Sequence, residues 1–326
     1  AISGDVTLNA TAGTDTIAVS GDGKTGGDVD IRGANVNVTA TNKVPHTIGI
    51  HTRAGNITIN EGADVHVEAE ANGGFGAVAV YAENISSEHG GCIAVDNAKL
   101  DAAARNANML SVALYSFGGK DTYLSITNGA DVTLVASDSV EVLDGVWMRA
   151  QDGVSRVLVE NSSLTVRCGD GTGHSRKHGY GIYSQSGSQS AIPRIDIINS
   201  NVEVSGNAAA IYAVNQGDAA PCLSIDGGSV VTTPAGGTVR KTAGNGLVIG
   251  TAGSSTIQDV RTSDEVARSV VISSGDAVEP GPTPQPGPAP TPTPQPGGGS
   301  GTAAPSATLA GTRRSSASSQ RRRKSC

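Results

Sequence analysis

Residues 122–137 read TYLSITNGADVTLVAS, and this stretch carries the pattern from which the fold follows. Leu124 and Ile126 alternate with polar neighbours. The pair Asn128-Gly129 interrupts the run, and the alternation then resumes. Alternation with a period of two, in short runs bounded by Asn and Gly, is typical of half-buried β-strands. The stretch therefore predicts a strand, a turn and a second strand.

The same pattern recurs along the chain. We call the last apolar residue before each turn the anchor. Successive anchors lie 28 to 38 residues apart, whereas the next strand always begins five or six residues after its anchor. A constant short step beside a variable long interval indicates one fixed turn per repeat, with insertions elsewhere. The anchors are Ile31, Ile59, Val95, Ile126, Val159, Ile197 and Ile225.

Each turn carries a residue that tolerates the left-handed backbone conformation. Gly and Asn adopt positive φ more readily than other residues. A turn with one such residue in every repeat suits a coiled sheet that must change direction. These residues, two positions after the anchor, are Gly33, Asn97, Asn128, Asn161, Asn199 and Gly227, and Glu61-Gly62 takes their place in the second repeat.

A third strand follows each second strand after a variable loop. Three strands per repeat of about 30 residues is the pattern of a solenoid, in which equivalent strands stack in parallel. We therefore expect 122–137 to pair with 93–104 and 157–168, and its own two strands not to pair with each other. The third strands are IGIHT (48–52), VAVYA (78–82), VALYS (112–116), GVWMR (145–149), YGIYS (180–184), AAIYA (209–213) and GLVIG (246–250).

Residues 1–275 resemble the right-handed parallel β-helix of pectate-lyase-like bacterial surface and polysaccharide-binding proteins. The repeated turn and strands carry the resemblance, for example RIDIINSNVEVSG (194–206) followed by AAIYAVNQG (209–217). The fold class that follows is all-β, a right-handed parallel β-helix with about three strands per rung. We expect seven clear rungs, with partial ones at 5–20 and 255–274. The catalytic motifs of pectate-lyase-like enzymes do not match residue by residue, so no catalytic residue is assigned.

The composition changes after the solenoid, which predicts three regions: a β-helix domain at 1–276, a Pro/Gly-rich linker at 277–301 and a disordered basic tail at 302–326. Pro-rich segments form extended spacers. In the tail, Leu309-Ala310-Gly311-Thr312 resembles the start of an LAxTG sortase signal, and RRRK (321–324) resembles its basic end. Arg313 stands where the motif has Gly, and the apolar span is missing. A decayed anchor and a plain disordered tail both remain open.

Composition and charge restrict the partners of the folded region. The net charge is −7, although six cations lie in the last 14 residues, so the rest of the chain is more acidic still. An acidic body argues against nucleic-acid binding. The sequence has no apolar run of about 18 residues, so no membrane span is predicted. We expect a monomer located outside a bacterial cell, secreted or at the cell surface.

The four cysteines do not predict an intrachain disulfide. Cys92 and Cys222 hold the same repeat position but lie four rungs apart, roughly 19 Å at the spacing of parallel strands. This separation exceeds the reach of a disulfide. Cys168 lies at the inward end of a second strand, as Ala136 does, and is predicted to be a small buried apolar residue. Cys326 lies on the tail.

One feature beyond the architecture is an aromatic row on the third strands. A large apolar residue precedes most members and should face inward, so the aromatic should face outward. The small residue two positions earlier should then face outward too, giving a strip poor in side chains. Trp147 fits only if its rung is shifted by one residue. The row, our candidate ligand-binding site, consists of His51, Tyr81, Tyr115, Trp147, Tyr183 and Tyr212.

The aromatic row has two interpretations. Aromatic faces offer flat apolar surfaces with a polar group on Tyr and Trp, on which sugar rings could lie. Alternatively, aromatics at strand spacing pair with each other and stabilise the sheet. Exposed ring faces would favour a binding surface for an extended polysaccharide or glycan. Rings packed against each other without an exposed face would favour a structural rod.

Catalysis is a further alternative. Asp144, Asp152 and Asp170 lie in or beside third-strand loops and could form a Ca²⁺ cluster, although Asp before Gly is common in turns. The polar insertion GDGTGHSRKHGYG (169–181) could contact a substrate or could be a solvated loop. We favour a non-catalytic carbohydrate-binding or adhesive surface module. The alternatives are a polysaccharide lyase or glycoside hydrolase, and a structural surface rod without a ligand.

Overall fold

The computed structural model describes residues 4–11, 15–21, 27–43, 45–84, 91–169, 179–187, 191, 193–215, 222–233, 240–242, 246–249, 260–262 and 272–274. The described residues form strands and turns. The strands are β1 (Val6–Ala10), β2 (Asp15–Gly21), β3 (Val29–Arg32), β4 (Asn35–Thr41), β5 (His46–Arg53), β6 (Ile57–Asn60), β7 (Asp64–Glu70), β8 (Gly76–Asn84), β9 (Cys92–Asp96), β10 (Lys99–Arg105), β11 (Leu110–Gly118), β12 (Thr122–Thr127), β13 (Asp131–Ala136), β14 (Val142–Ala150), β15 (Ser155–Glu160), β16 (Ser163–Cys168), β17 (Tyr180–Ser186), β18 (Arg194–Ser205), β19 (Ala209–Asn215), β20 (Cys222–Thr233), β21 (Arg240–Thr242), β22 (Gly246–Ile249), β23 (Val260–Thr262) and β24 (Ile272–Ser274).

The strands form a parallel β-solenoid of about six turns. Two sheets run along it, one of 15 strands built from the first and second strands of each repeat and one of nine strands built from the third strands. Strand β12 pairs with β9 and β15, and β13 pairs with β10 and β16, all in parallel. The expectation that 122–137 pairs with its neighbouring repeats is therefore confirmed.

The predicted register is confirmed at every anchor. Ile126 lies opposite Val95 on one side and Val159 on the other, and the chain of partners continues unbroken from Ile31 to Ile225. The anchors and most of the alternating residues of the second strands belong to one core cluster, and Ala136 and Cys168 form a small second cluster with Leu143. Because each apolar side chain lies opposite an equivalent one in the next turn, the core repeats along the solenoid without a break.

The turns have the backbone conformation that the sequence predicts. Asn128 has φ of +58° and Asn161 of +49°, and Gly33, Glu61, Asn97 and Asn199 are also positive. In the last repeat Gly228, directly after the predicted Gly227, has positive φ. The turns also bond to one another, since the Gly129 N–H donates to the Asn161 carbonyl oxygen at 2.8 Å. Each turn therefore continues the parallel hydrogen bonding of the strands around the corner.

The small residues of the third strands face inward, which corrects the expectation of an outward strip. Ala79 is fully buried within the core cluster, as are Ala113 and Ala210. A Cβ on Gly49 would lie 2.3 Å from Cγ1 of core residue Val67. Strand pairing is interrupted at this position in each turn, for example between Ile48 and Ile50. The strand bends there, so two successive residues face the core, and only Gly or Ala fits beneath the second-strand side chain.

The seventh rung differs from the prediction. GLVIG was expected to continue the parallel third strands, but β22 pairs with β19 in the antiparallel direction and forms a hairpin with β21. Strands β23 and β24 still pair in parallel with β20, at the predicted C-terminal partial rung. Strands β1 and β2 likewise form the predicted N-terminal partial rung.

The cysteine positions follow the predicted register. Cys168 lies opposite Ala136 and is buried, and its thiol lies 2.7 Å from the Leu143 carbonyl oxygen. Cys92 and Cys222 occupy equivalent positions four turns apart. Cys92 and Cys168 are present as thiols. The Cys222 side chain and Cys326 lie outside the described residues.

The chain divides into two compact units, Ala1–Asp276 and Ala277–Cys326. The described residues all belong to the first unit, so the linker, the tail and the sortase-like motif lie outside them. In the described part of the chain there is no helix long and apolar enough to cross a membrane.

Candidate functional site: the aromatic stack

All six predicted aromatic residues lie in one register. His51 is opposite Tyr81, Tyr81 opposite Tyr115, and Tyr115 opposite Trp147, with Tyr183 and Tyr212 completing the row. Trp147 needs no shift, because Val146 directly before it pairs with Leu114 and Ile182. The structure therefore unites the predicted site residues in one row on the outside of the nine-stranded sheet, and we call this row the aromatic stack.

The rings of the aromatic stack face one another. Neighbouring centroids are 4.8 to 5.8 Å apart, and neighbouring planes differ by 5° to 27°. Tyr81 and Tyr115 are the most nearly parallel pair, at 4.8 Å and 5°. Each inner ring thus covers the faces of its two neighbours, and ring edges rather than faces point towards solvent.

The stack is largely removed from water. His51 is 7% exposed and Tyr183 is 6% exposed, whereas Tyr81, Tyr115, Trp147 and Tyr212 are half-buried. Burial raises the pKa of Tyr81, Tyr115 and Tyr183, because the charged phenolate would lose its hydration. The nearby acidic groups and tyrosines add to this effect at Tyr81 and Tyr183.

A seventh ring packs beside the stack. Tyr180 lies three residues before Tyr183 on β17. Its ring centroid is 5.2 Å from that of Tyr183 and 4.7 Å from that of Tyr212. Burial raises the pKa of Tyr180 to about 12, with smaller contributions from Tyr212 and Asp144. The two tyrosines of YGIYS therefore both face the same outer surface, on either side of the bend at Gly181-Ile182.

We expect the native protein to resist alkaline titration of its tyrosines. Unfolded tyrosine ionises near pH 10. Four of the six tyrosines have raised pKa values in the folded state, so these four should ionise at higher pH in the native chain than in the unfolded chain. The unfolded state then loses protons that the folded state keeps, so stability falls as the pH rises above about 10.

The measurement is an ultraviolet titration of phenolate, followed in parallel by circular dichroism and repeated in urea. About two thirds of the phenolate, from the four tyrosines with raised pKa values, should appear at higher pH in buffer than in urea, where all tyrosines ionise near pH 10. A complete, gradual titration near pH 10 with unchanged circular dichroism would contradict the burial of these rings.

The carboxylate of Glu83 lies at the end of the stack that His51 forms. The Nε2 atom of His51 lies 3.5 Å from Oε2 of Glu83, whose side chain is 19% exposed. The contact with His51 is the largest influence that lowers the pKa of Glu83, and the nearby Tyr81 hydroxyl lowers it further. Glu83 therefore contacts the first two rings of the stack and is ionised at neutral pH.

The row two residues after the stack supplies its polar border. This row contains Glu83, Phe117, Arg149 and Gln185 in register. The guanidinium of Arg149 lies over the Phe117 ring at 5.3 Å and hydrogen-bonds Tyr115. The sequence-based prediction missed these residues, although their spacing, two positions after each aromatic on the same strand face, was available to find them.

The proposed metal ligands do not converge in the described part of the chain. Asp144 is fully buried near the start of β14 and accepts the Tyr180 backbone N–H at 3.0 Å. Asp152 is exposed beyond the other end of β14, roughly 20 Å away at the rise of a strand. Asp170 lies outside the described residues, as does most of the 169–181 insertion. Among the described residues, no group of three His, Cys, Asp or Glu side chains could hold a metal ion.

Asp144 has a visible structural role instead. It stands in the row three residues before the stack, where Val112 is its partner in the preceding turn. Its bond to the Tyr180 N–H ties the start of β17 to β14, and it lies close enough to Tyr115 and Tyr183 to raise their pKa values. This carboxylate therefore positions the tyrosine-rich end of the stack.

No protein-family model, no curated protein and no solved structure gives a match to the chain.

Proposed function

We propose that the solenoid is a structural rod at a bacterial cell surface, in which the aromatic stack stabilises the fold rather than binding a ligand. The observation that carries the proposal is that the ring faces are already occupied. Each inner ring contacts a neighbour on both sides, with centroids 4.8 to 5.8 Å apart, so the inner rings leave no flat face for a sugar ring. The Pro-rich segment after the solenoid supports the surface location, because such segments act as spacers.

The test is retention of the full chain on a panel of polysaccharides and glycans, with and without Ca²⁺. We expect no retention on any of them. We also expect Tyr115→Ala to lower the free energy of unfolding by about 2 kcal/mol or more, because a half-buried stacked ring is removed. The matched control is Tyr123→Ala, which removes a half-buried tyrosine of β12 that lies outside the stack.

A second candidate function is binding of an extended glycan along the ring edges. The observation that favours it is the polar border of the stack, where Glu83, Arg149 and Gln185 lie beside half-exposed tyrosine edges. Hydroxyl groups of a sugar chain could hydrogen-bond to this border without displacing the rings. If one polysaccharide retains the native chain, and Arg149→Gln or Glu83→Gln weakens retention while the fold is kept, this candidate replaces the rod. Tyr123→Ala is again the control.

The described residues give no support to the lyase or hydrolase alternative. The two described aspartates of the proposed cluster lie at opposite ends of one strand, and the buried Asp144 holds a backbone N–H. We therefore propose no cleavage of a polysaccharide by the described residues.

A further inference from the structure

We propose that the aromatic stack is a one-electron oxidation site, in which Tyr81 holds the resulting radical and Glu83 takes its proton. This activity goes beyond a structural role and is independent of it. Its substrate is a strong one-electron oxidant, such as a high-valent metal complex or a peroxidase intermediate. Its co-substrate is a small reductant such as a thiol or ascorbate.

Contact between the rings provides the path for the electron. Electron transfer between aromatic side chains becomes faster as their π systems approach, and here every ring touches the next. The path runs from Tyr212 through Tyr183, Trp147 and Tyr115 to Tyr81, with centroids no more than 5.8 Å apart. An electron removed at a half-exposed ring edge anywhere on the stack can therefore be replaced from any other ring.

The position of the base selects Tyr81 as the site of the radical. An oxidised tyrosine is a strong acid, so the radical settles where a neighbour can accept the phenol proton. Glu83 follows Tyr81 by two residues on β8, and its carboxylate lies 3.5 Å from Nε2 of His51, the ring stacked on Tyr81. Contacts with His51 and with the Tyr81 hydroxyl lower the pKa of Glu83, so this base is ionised at neutral pH. Tyr115 instead meets the guanidinium of Arg149, which has no capacity to accept a proton. Tyr81 is thus the ring of this pair that is prepared to lose its proton.

The orientation of the rings protects the radical. Tyr81 and Tyr115 are parallel within 5° and lie face to face on neighbouring strands. Coupling of two tyrosyl radicals joins ring carbons edge to edge, which this arrangement opposes. His51 covers the other face of Tyr81 at 5.0 Å. A radical on Tyr81 is therefore shielded from cross-linking.

The electron and the proton leave Tyr81 for different acceptors. The oxidant takes one electron from the stack and is reduced by one unit, the O–H bond of Tyr81 breaks, and the proton forms a new O–H bond on Glu83. The products are a neutral tyrosyl radical and a neutral carboxylic acid. A thiol or ascorbate then returns one electron to Tyr81, and the proton moves back from Glu83.

The test is photo-oxidation of the full chain by a soluble ruthenium tris-bipyridine complex with persulfate, read by electron paramagnetic resonance. We expect a tyrosyl signal in the native protein that is lost in Tyr81→Phe. Glu83→Gln keeps the shape of the side chain but removes the base, and it should lower the radical yield about tenfold or more. Tyr123→Phe, outside the stack, should leave the signal unchanged.

Two outcomes would overturn the proposal. One is an undiminished tyrosyl signal in folded Tyr81→Phe. The other is an equal radical yield in folded Glu83→Gln. Circular dichroism establishes folding for each variant. If a variant does not fold, the native protein still provides a measurement: recovery of Tyr81 by ascorbate should slow in D₂O, because the proton must return from Glu83, and an unchanged rate argues against the proposal.

Discussion

Gly145→Ala should lower the free energy of unfolding by about 3 kcal/mol, because the added methyl group has no room. A Cβ at this position would lie 2.1 Å from Cγ1 of Val166 and 2.7 Å from the backbone oxygen of Gly181. The valine belongs to the core cluster, and the oxygen belongs to the neighbouring strand. Relief of the clash therefore requires movement of the next turn, so the destabilisation should exceed that of an ordinary Gly-to-Ala change.

Gly76→Ala is the matched control, since Gly76 also lies on a third strand. Its Cβ would meet its nearest neighbour, Cδ2 of His46, at an ordinary 3.5 Å. We expect Gly76→Ala to change the free energy of unfolding by less than about 1 kcal/mol. The change can be stabilising, because alanine lowers the conformational entropy of the unfolded chain. Urea denaturation followed by circular dichroism measures both variants. Equal effects would mean that the third strands do not bend towards the core as described.

Trp147→Ala should cost about 3 kcal/mol of unfolding free energy, which is typical for removal of a large aromatic side chain from a packed site. The indole lies between Tyr115 at 4.8 Å and Tyr183 at 5.8 Å. Its loss divides the aromatic stack into two shorter pieces and uncovers one face on each neighbouring ring. Both the contact area and the favourable ring–ring interactions disappear.

Trp147→Phe keeps a ring at the same position, so more than half of the unfolding free energy that Trp147 contributes should remain. Thermal and urea unfolding followed by circular dichroism measure the loss of stability. Tryptophan fluorescence is not suitable, because the variants lack the single tryptophan of the chain. Tyr123→Ala provides the control for loss of an aromatic elsewhere. If Trp147→Ala is no worse than Tyr123→Ala, the stack contributes little to stability, and the proposal of a structural role for it fails.

The register of this fold is readable from sequence because two local signals coincide. The anchor Ile126 and the turn residue Asn128 keep a constant separation in each repeat, and the pairing of Ile126 with Val95 and Val159 follows directly. The aromatic row was found for the same reason. Its members keep a fixed position after the inward residue, as Tyr81 does after Val80.

Two features differ from the prediction and a third was left open between two alternatives, each for a physical reason. Strict alternation places Gly49 outward, but the bend before Ile50 turns two successive residues inward. The direction of β22 is not encoded in GLVIG, since an apolar strand pairs equally well in either sense, and the hairpin with β21 decides it. The mutual stacking of the rings depends on their side-chain rotation, which residue spacing does not specify.

The antiparallel strand β22 also bears on how such a protein can change in length over evolution. Within the parallel region any turn presents the same register to the turn before and after it, as β12 does to β9 and β15. A duplicated repeat inserted there would find compatible partners on both sides. A repeat added beyond β22 would meet a strand that runs in the opposite direction in the nine-stranded sheet. Growth by internal duplication is therefore compatible with this architecture, whereas extension past the reversed strand is not.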